Sequence, residues 1–270
     1  MVSQVTFLSS RKGSNPGGNC FYSSDRLSFD AYIKYCFGSH IHGVTAFKAE
    51  HQPIYESITF ELARKIGLKT VDSFLLLNKA QKVQFLGWKK HGENDPLGRD
   101  YYFINRLTQN LNINRADISV SSKCEIPEGE FVYLDSLLIS DVVGKKQNYI
   151  IDQSVSLQPI YIDLGCSFVH AHDGFIHHPH RLKLTNSRDF RRACKKLEGI
   201  SVIGADNQIV VDLEEFINLP YSMEINCLNP WSFVKLSSLI GKDELDEIQR
   251  HLVDALYKNL PKFKKLDLVI

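Results

Sequence analysis

The stretch Pro-Ile-Tyr-Ile-Asp-Leu-Gly occupies residues 159–165 and places a carboxylate, Asp163, directly after a short apolar run. An apolar run that a glycine soon follows predicts a buried β-strand ending in a turn. A carboxylate at the end of such a strand is costly to desolvate unless it has a partner. A metal ion would be one partner, and a turn in which the aspartate bonds its own backbone is the alternative. Asp163 is therefore a candidate metal ligand.

A second apolar run, Asn-Tyr-Ile-Ile-Asp at 148–152, precedes the first, and six residues separate the two. Two short strands with a connection of this length indicate a β-hairpin. Such a hairpin would fold Asn148 back toward Asp163. An amide oxygen and a carboxylate are hard oxygen donors, which suit Mg²⁺ better than a softer metal. The pair predicts a magnesium site at one end of the hairpin.

Asp141 lies seven residues before Asn148. In phosphoryl transfer, an aspartate that orients the acceptor hydroxyl lies on a loop just before a metal-binding asparagine. Lys145 or Lys146 could neutralise a transferring phosphate, although a solvated turn explains a pair of lysines equally well. Asp141 is thus the candidate catalytic base.

The N-terminal third contains a glycine-rich segment, Lys-Gly-Ser-Asn-Pro-Gly-Gly-Asn at 12–19, between predicted strands at 5–8 and 27–37. Glycines let backbone N–H groups approach phosphate oxygens closely. An ordinary hairpin loop is the alternative. The candidate nucleotide-binding residues of this segment are Gly13, Ser14, Gly17 and Gly18.

Lys34 is a charge in the middle of the apolar strand predicted at 27–37. A cation there needs a counter-ion, and nucleotide phosphates together with a helix glutamate would serve. Glu56 is that glutamate, near the start of a helix predicted from Pro53 to Ile66. Lys48 is a weaker rival for the role of Lys34, and the alternative for Lys34 is a lysine that snorkels from an edge strand.

The remaining pattern predicts an α+β protein in two lobes, residues 1–88 and 89–270. The segments 73–78 and 82–88 are predicted to pair as strands, and the charged stretch 89–100 is predicted to link the lobes. Helices are predicted at 101–111, at 130–143 and over most of the remainder, ending at 242–260. The first lobe would be a small antiparallel sheet with one helix, and the second would be larger, mostly helical and would carry the hairpin.

In this order, the segments resemble those of the HipA-like kinases, especially the short members that lack an N-terminal add-on domain. The resemblance rests on Lys12 to Asn19, Tyr32 to Tyr35, Glu56 to Leu68 and Ile160 to Ser167. It implies a protein-kinase-like fold and transfer of phosphate from ATP, with Mg²⁺, to serine or threonine of a protein acceptor. The family includes toxins of toxin–antitoxin pairs and secreted effectors, so an antitoxin or a host protein is an expected partner. Some members phosphorylate a serine of their own glycine loop, which here would be Ser9, Ser10 or Ser14.

The segment from Asp141 to Asn148 departs from the family pattern. The family has Asp-Arg-His with an asparagine five residues after the aspartate, whereas Val-Val follows Asp141 and the gap is two residues longer. An adapted loop and an inactive pseudokinase both fit this departure. A phosphotransferase for a small molecule or a lipid head group also fits the site residues.

Composition excludes several other classes. The formal net charge of +1 gives no field that would hold nucleic acid nonspecifically, although it leaves a local basic groove open. No run of eighteen apolar residues predicts a membrane span. The N-terminus does not follow the order of a secretory signal, so we expect a cytoplasmic protein, with secretion as an effector not visible in the sequence. Five histidines between His170 and His180 could bind a transition metal or line an acceptor groove.

Overall fold

The computed structural model describes residues 3–10, 16–35, 49–65, 68–71, 73–78, 82–91, 95–106, 124–127, 149–151, 159–162, 164, 200–203, 213–226, 233–250 and 252. The protein is a mixed α/β structure, as the sequence predicts. The division into two lobes stays a prediction.

A six-stranded sheet dominates the described N-terminal residues. Its strands are β1 (Ser3–Phe7), β2 (Gly17–Ser23), β3 (Ser28–Tyr35), β4 (Phe74–Asn78), β5 (Val83–Leu86) and β6 (Tyr101–Arg106). Their order across the sheet is β4-β6-β3-β2-β1-β5. Neighbours run antiparallel except β1 and β5, which are parallel. The strands predicted at 5–8 and 27–37 are confirmed, with bounds shifted by a few residues.

The segment predicted as a helix at 101–111 is wrong over its described part, because Tyr101–Arg106 forms strand β6. Tyr102, Phe103 and Ile104 are all buried, since β6 lies between β3 and β4 and both its faces are covered. A strand buried on both faces loses the alternation that normally distinguishes it from a helix. The sheet therefore includes chain beyond the boundary predicted after residue 88.

The predicted pairing of 73–78 with 82–88 is also wrong. Both segments are strands, but β4 and β5 lie at opposite edges of the sheet. β4 pairs with β6 and β5 pairs with β1, both over long sequence separations. Consecutive strands pair often but not always, and only the packing of the whole sheet decides which edge each strand joins.

Helix α1 (Gln52–Lys65) lies against one face of the sheet, as predicted. Phe60 of α1 stacks on Phe103 of β6 with ring centres 5.3 Å apart. Just after the helix, the N–H of Leu68 donates to the carbonyl of Ala63 at 2.9 Å and so satisfies one of the last helix carbonyls. Of the 14 helix residues, 11 are buried, which is more than the one face that a surface helix buries. The helix is thus covered on most sides.

The opposite face of the sheet holds a hydrophobic core. Alternate residues of five neighbouring strands meet there, which is the arrangement expected when a sheet curls around one of its faces. The largest side chains of this core are Phe7, Tyr22, Phe29, Tyr35 and Tyr102.

The described residues of the C-terminal part form small paired strands and two helices. The hairpin is confirmed: β8 (Tyr149–Ile151) pairs antiparallel with β9 (Pro159–Tyr161), and Tyr149 lies opposite Tyr161. β7 (Cys124–Pro127) pairs parallel with β10 (Ile200–Ile203), and β11 (Glu224–Asn226) pairs antiparallel with β12 (Phe233–Lys235). The helices are α2 (Leu213–Ser222) and α3 (residues 242–250). The strands β7, β10, β11 and β12 were not predicted, so the described part is less helical than expected.

The helix predicted at 130–143 lies outside the described residues. Within the residues that are described, no helix is long and apolar enough to cross a membrane.

Candidate active site

Lys34 and Glu56 form a buried ion pair between the sheet and α1. Nζ of Lys34 lies 2.5 Å from Oε1 of Glu56, and the two residues are 7% and 2% exposed. Lys34 projects from β3, near the middle of the sheet, toward the face that α1 covers. Its Nζ also lies 6.0 Å from the centre of the Phe103 ring. The structure thus joins the strand lysine and the helix glutamate that the sequence proposed as partners.

The energetics of this pair favour a role other than stability. Taking a carboxylate and an ammonium group out of water costs several kcal/mol for each ion, and their attraction rarely exceeds that cost by much. Replacing a buried pair by apolar residues of similar size is often neutral, or stabilising by about 1–4 kcal/mol. A chain that needed only a stable sheet–helix contact here would do as well with two apolar side chains. The pair is therefore a candidate functional feature.

Two of the predicted glycines lie beside Lys34 at the start of β2. Gly17 is opposite Lys34 in the register of β2 and β3, and Gly18 is opposite Ile33. A Cβ on Gly17 would come within 2.0 Å of the carbonyl oxygen of Ile33, and one on Gly18 within 2.3 Å of that of Ser9. Only glycine fits at either position without a backbone shift. Gly13 and Ser14 lie outside the described residues.

Backbone hydrogen bonds fix both ends of the segment between β1 and β2. The N–H of Leu8 donates to Asn19 at 2.8 Å, and the N–H of Tyr35 donates to Pro16 at 3.1 Å. The second of these bonds ties the entry into β2 to the residue that follows Lys34. The glycine-rich segment thus returns to the sheet directly beside the ion pair.

Asn105 on β6 was not predicted as a site residue. It is two positions from Phe103, so its side chain lies on the same face as Phe103 and Lys34. It is buried, and its Oδ1 accepts no hydrogen bond from the residues that the structure describes. A buried carbonyl oxygen without a donor costs roughly 1–3 kcal/mol. No sequence pattern marked this residue, because an asparagine in a predicted helix is unremarkable.

The hairpin of β8 and β9 contacts the segment that follows α1. The N–H of Tyr161 donates to the carbonyl of Lys69 at 2.9 Å, and Thr70 forms a parallel bridge with Tyr161. Tyr161, Ile162 and Leu164 are buried. The chain around the predicted metal ligand is thereby anchored next to the helix that carries Glu56.

Asp163, Asn148, Asp141 and Lys48 lie outside the described residues. In sequence, Asn148 directly precedes Tyr149 and Asp163 directly follows Ile162, and among the described residues Tyr149 pairs with Tyr161. Among the described residues, no group of three or more His, Cys, Asp or Glu side chains could hold a metal ion. The histidine segment 170–180 is outside that set.

Cys20 on β2 lies in the hydrophobic core on the far side of the sheet from Lys34. Burial, and then the negative charge of Asp30, raise the pKa of its thiol. A thiol that stays protonated in an apolar core is a poor nucleophile. Cys20 is therefore a packing residue, and the site has no thiol chemistry at this position.

A scan against protein-family models and a search of curated proteins both return no match. A search of solved structures returns "The structure of hydra Fam20 with sugar", with 12% identity and a TM-score of 0.39 over 99% of this chain and 88% of that chain. We draw nothing about fold or activity from a likeness at this level.

Proposed function

We propose that the protein is an ATP- and Mg²⁺-dependent phosphotransferase. The observation that carries the proposal is the buried Lys34–Glu56 pair between a central strand and the helix that packs on it. In protein kinases, a strand lysine held by a helix glutamate binds nucleotide phosphates, and the pair must be formed for activity. Two apolar side chains would stabilise the fold as well as this pair does. In a nucleotide site, the lysine would bind phosphate and the glutamate would hold the lysine in position.

Three features of the described residues around the pair support a nucleotide site. Lys34 would bind the α- and β-phosphates through Nζ, and Glu56 would hold Nζ in position. The glycine-rich segment that returns at Gly17 and Gly18 would bring backbone N–H groups to the phosphates. Asn105 lies diagonally across from Lys34 on the next strand, about 7–8 Å away by ordinary sheet geometry. Its unpartnered Oδ1 would accept a hydrogen bond from the nucleotide base.

Asn148 and Asp163 would hold Mg²⁺, which neutralises charge on the phosphates when bound. The acceptor hydroxyl would attack the γ-phosphorus, forming a new P–O bond as the bond to the β-phosphate oxygen breaks and ADP leaves. Asp141 would take the proton of that hydroxyl. The roles of Asp163 and Asp141 are assigned from their positions in the sequence, next to the segments that form the hairpin.

The acceptor that the resemblance to HipA-like kinases favours is a serine or threonine of a protein, and a toxin or effector role would follow from the same family. A lipid or small-molecule acceptor would use the same nucleotide site. A pseudokinase would keep the site for binding alone, which the unusual spacing from Asp141 to Asn148 would explain.

Intact-mass analysis after incubation with Mg-ATP tests the proposal. We expect the wild type to gain the mass of one phosphoryl group, and Lys34→Met, Asp163→Ala and Asp141→Ala to lose that gain. If Mg-ATP binds but neither the protein itself nor an added protein or lipid acceptor gains a phosphoryl group, the protein is a pseudokinase. No thermal shift of the wild type with Mg-ATP would refute the proposed site.

A further inference from the structure

A cluster of three buried side chains ties the first turn of α1 to α3, far away in sequence. Nδ1 of His51 lies 2.8 Å and 2.9 Å from the two carboxylate oxygens of Glu244. The hydroxyl of Tyr55 donates to Oε1 of the same carboxylate. An ionised carboxylate only accepts hydrogen bonds, so the Nδ1 of His51 carries its hydrogen. Glu244 thus receives donors from both residues.

The surroundings of the cluster make these bonds strong. Tyr55 is fully buried, and Glu244 and His51 are 4% and 9% exposed. Hydrogen bonds to a charged group are about twice as strong as neutral ones, and a buried carboxylate that loses its donors is left with a desolvation penalty. The ring of Tyr101 covers His51 edge-on at 5.5 Å. Its hydroxyl donates to the carbonyl of Leu239 at 3.1 Å, just before α3.

Tyr55 is the residue before Glu56, so the cluster and the ion pair share one turn of α1. The first turn of a helix has few intrahelical bonds of its own and depends on outside contacts for its position. Release of Tyr55 and His51 would let this turn move and carry Glu56 away from Lys34.

We propose that Glu244 is a positioning residue: through Tyr55 and His51 it holds α1 where Glu56 can pair with Lys34. Docking of α3 is thereby coupled to assembly of the nucleotide site. The inference rests on the proposed function only for its catalytic consequence. The coupling between Glu244 and Lys34 can be measured without nucleotide.

Two tyrosine variants make a matched pair. Tyr55→Phe removes the hydroxyl of α1 that bonds to Glu244 of α3. Tyr221→Phe, the control, removes a hydroxyl of α2 that bonds to Asp246 of α3. Glu244→Gln is the second test variant, because it keeps the shape of the side chain and removes its charge. The readout is the rate at which acetic anhydride acetylates Lys34, measured by peptide mass spectrometry against the exposed Lys90 in the same sample.

We expect Tyr55→Phe and Glu244→Gln to raise the acetylation rate of Lys34 about tenfold, the factor set by losing one charged hydrogen bond. We expect Tyr221→Phe to leave it unchanged. An unchanged Lys34 rate in both test variants would overturn the inference, and so would an equal rise in Tyr221→Phe. If Mg-ATP also binds, its Kd should rise in the two test variants alone. If the two test variants raise the acetylation rate of Lys34 but the protein binds no nucleotide, the coupling between Glu244 and Lys34 is supported and the proposed function is rejected.

Discussion

Nζ of Lys34 and Oε1 of Glu56 lie 2.5 Å apart in the interior, although 22 residues separate them in the chain. One belongs to a strand with neighbours on both sides, and the other to a helix buried on most of its surface. The fold therefore places two charges in a buried contact between sheet and helix. Substitutions of this pair should therefore affect the free energy of unfolding and the affinity for Mg-ATP in different ways.

Removing one charge of the pair should destabilise the protein, and removing both should not. We expect Lys34→Met and Glu56→Leu each to lower the free energy of unfolding by about 3–5 kcal/mol, because each leaves a buried charge without its partner. The double variant should be near wild type or more stable, and should not bind Mg-ATP. Urea unfolding measures the first quantity and calorimetric titration the second.

The pair of Glu61 and Arg64 on the same helix, whose side chains are 31% and 32% exposed, is the control. Glu61→Gln should change the free energy of unfolding by less than about 1 kcal/mol, since ion pairs that water reaches contribute little. A double variant as unstable as the sum of the single ones would show that the charges do not compensate each other.

Alanine should be tolerated poorly at Gly18. Its Cβ would lie 2.3 Å from a backbone oxygen, and a backbone cannot move aside as a side chain can. We expect Gly18→Ala to cost about 1–3 kcal/mol of unfolding free energy and to weaken Mg-ATP binding, because the segment before β2 must shift. Gly241→Ala is the control, as a Cβ there meets nothing within 4 Å. Equal stability of the two variants would contradict the close approach of β2 to residue 9.

Asn105→Leu should separate folding from binding. Replacing a buried amide without a partner by an apolar side chain of similar size should raise the free energy of unfolding by about 1–3 kcal/mol. The affinity for Mg-ATP should fall, since the base would lose a hydrogen-bonding group. Denaturant unfolding and titration calorimetry measure the two effects. A loss of stability in this variant would mean that Oδ1 has a structural partner, and an unchanged affinity would remove Asn105 from the site.

The buried phenol of Tyr102 should make the stability of the protein fall at alkaline pH. Its hydroxyl donates to the carbonyl of Pro96 at 2.5 Å, and burial raises its pKa from 10.0 to about 12. The unfolded chain ionises this phenol first, so the stabilising contribution is complete below pH 10 and is lost as the pH rises toward 12. Melting temperatures between pH 9 and pH 12 should fall more steeply for the wild type than for Tyr102→Phe. Parallel curves would contradict the assignment.

Local patterns predicted the parts of the fold that local chemistry determines. The strand around Lys34, the helix that begins near Pro53 and the pairing of β8 with β9 are all found, because alternation, helix periodicity and turn spacing act over a few residues. The pairing of Lys34 with Glu56 follows from the cost of a lone buried charge. These signals need no knowledge of distant chain segments.

Features that depend on distant segments could not be predicted. Tyr-Tyr-Phe-Ile at 101–104 fits a helix or a strand equally well until β3 and β4 are known to flank it. Glu244 lies 193 residues from its partner His51, and no spacing connects them. The burial of Asn105 likewise depends on which strands become its neighbours. Asp141, Asn148 and Asp163 remain predictions from the sequence.

An ATP-derived acyl phosphate, which transfers its acyl group to a lysine beside the bound phosphates, tests the central claim most directly. After brief labelling of the wild type with Mg²⁺ present, peptide mass spectrometry identifies the acylated lysine, and a parallel sample contains excess Mg-ATP as competitor. The account predicts that Lys34 is acylated and that Mg-ATP protects it. Labelling of Lys48 in place of Lys34, or labelling of Lys34 that Mg-ATP does not suppress, would contradict it.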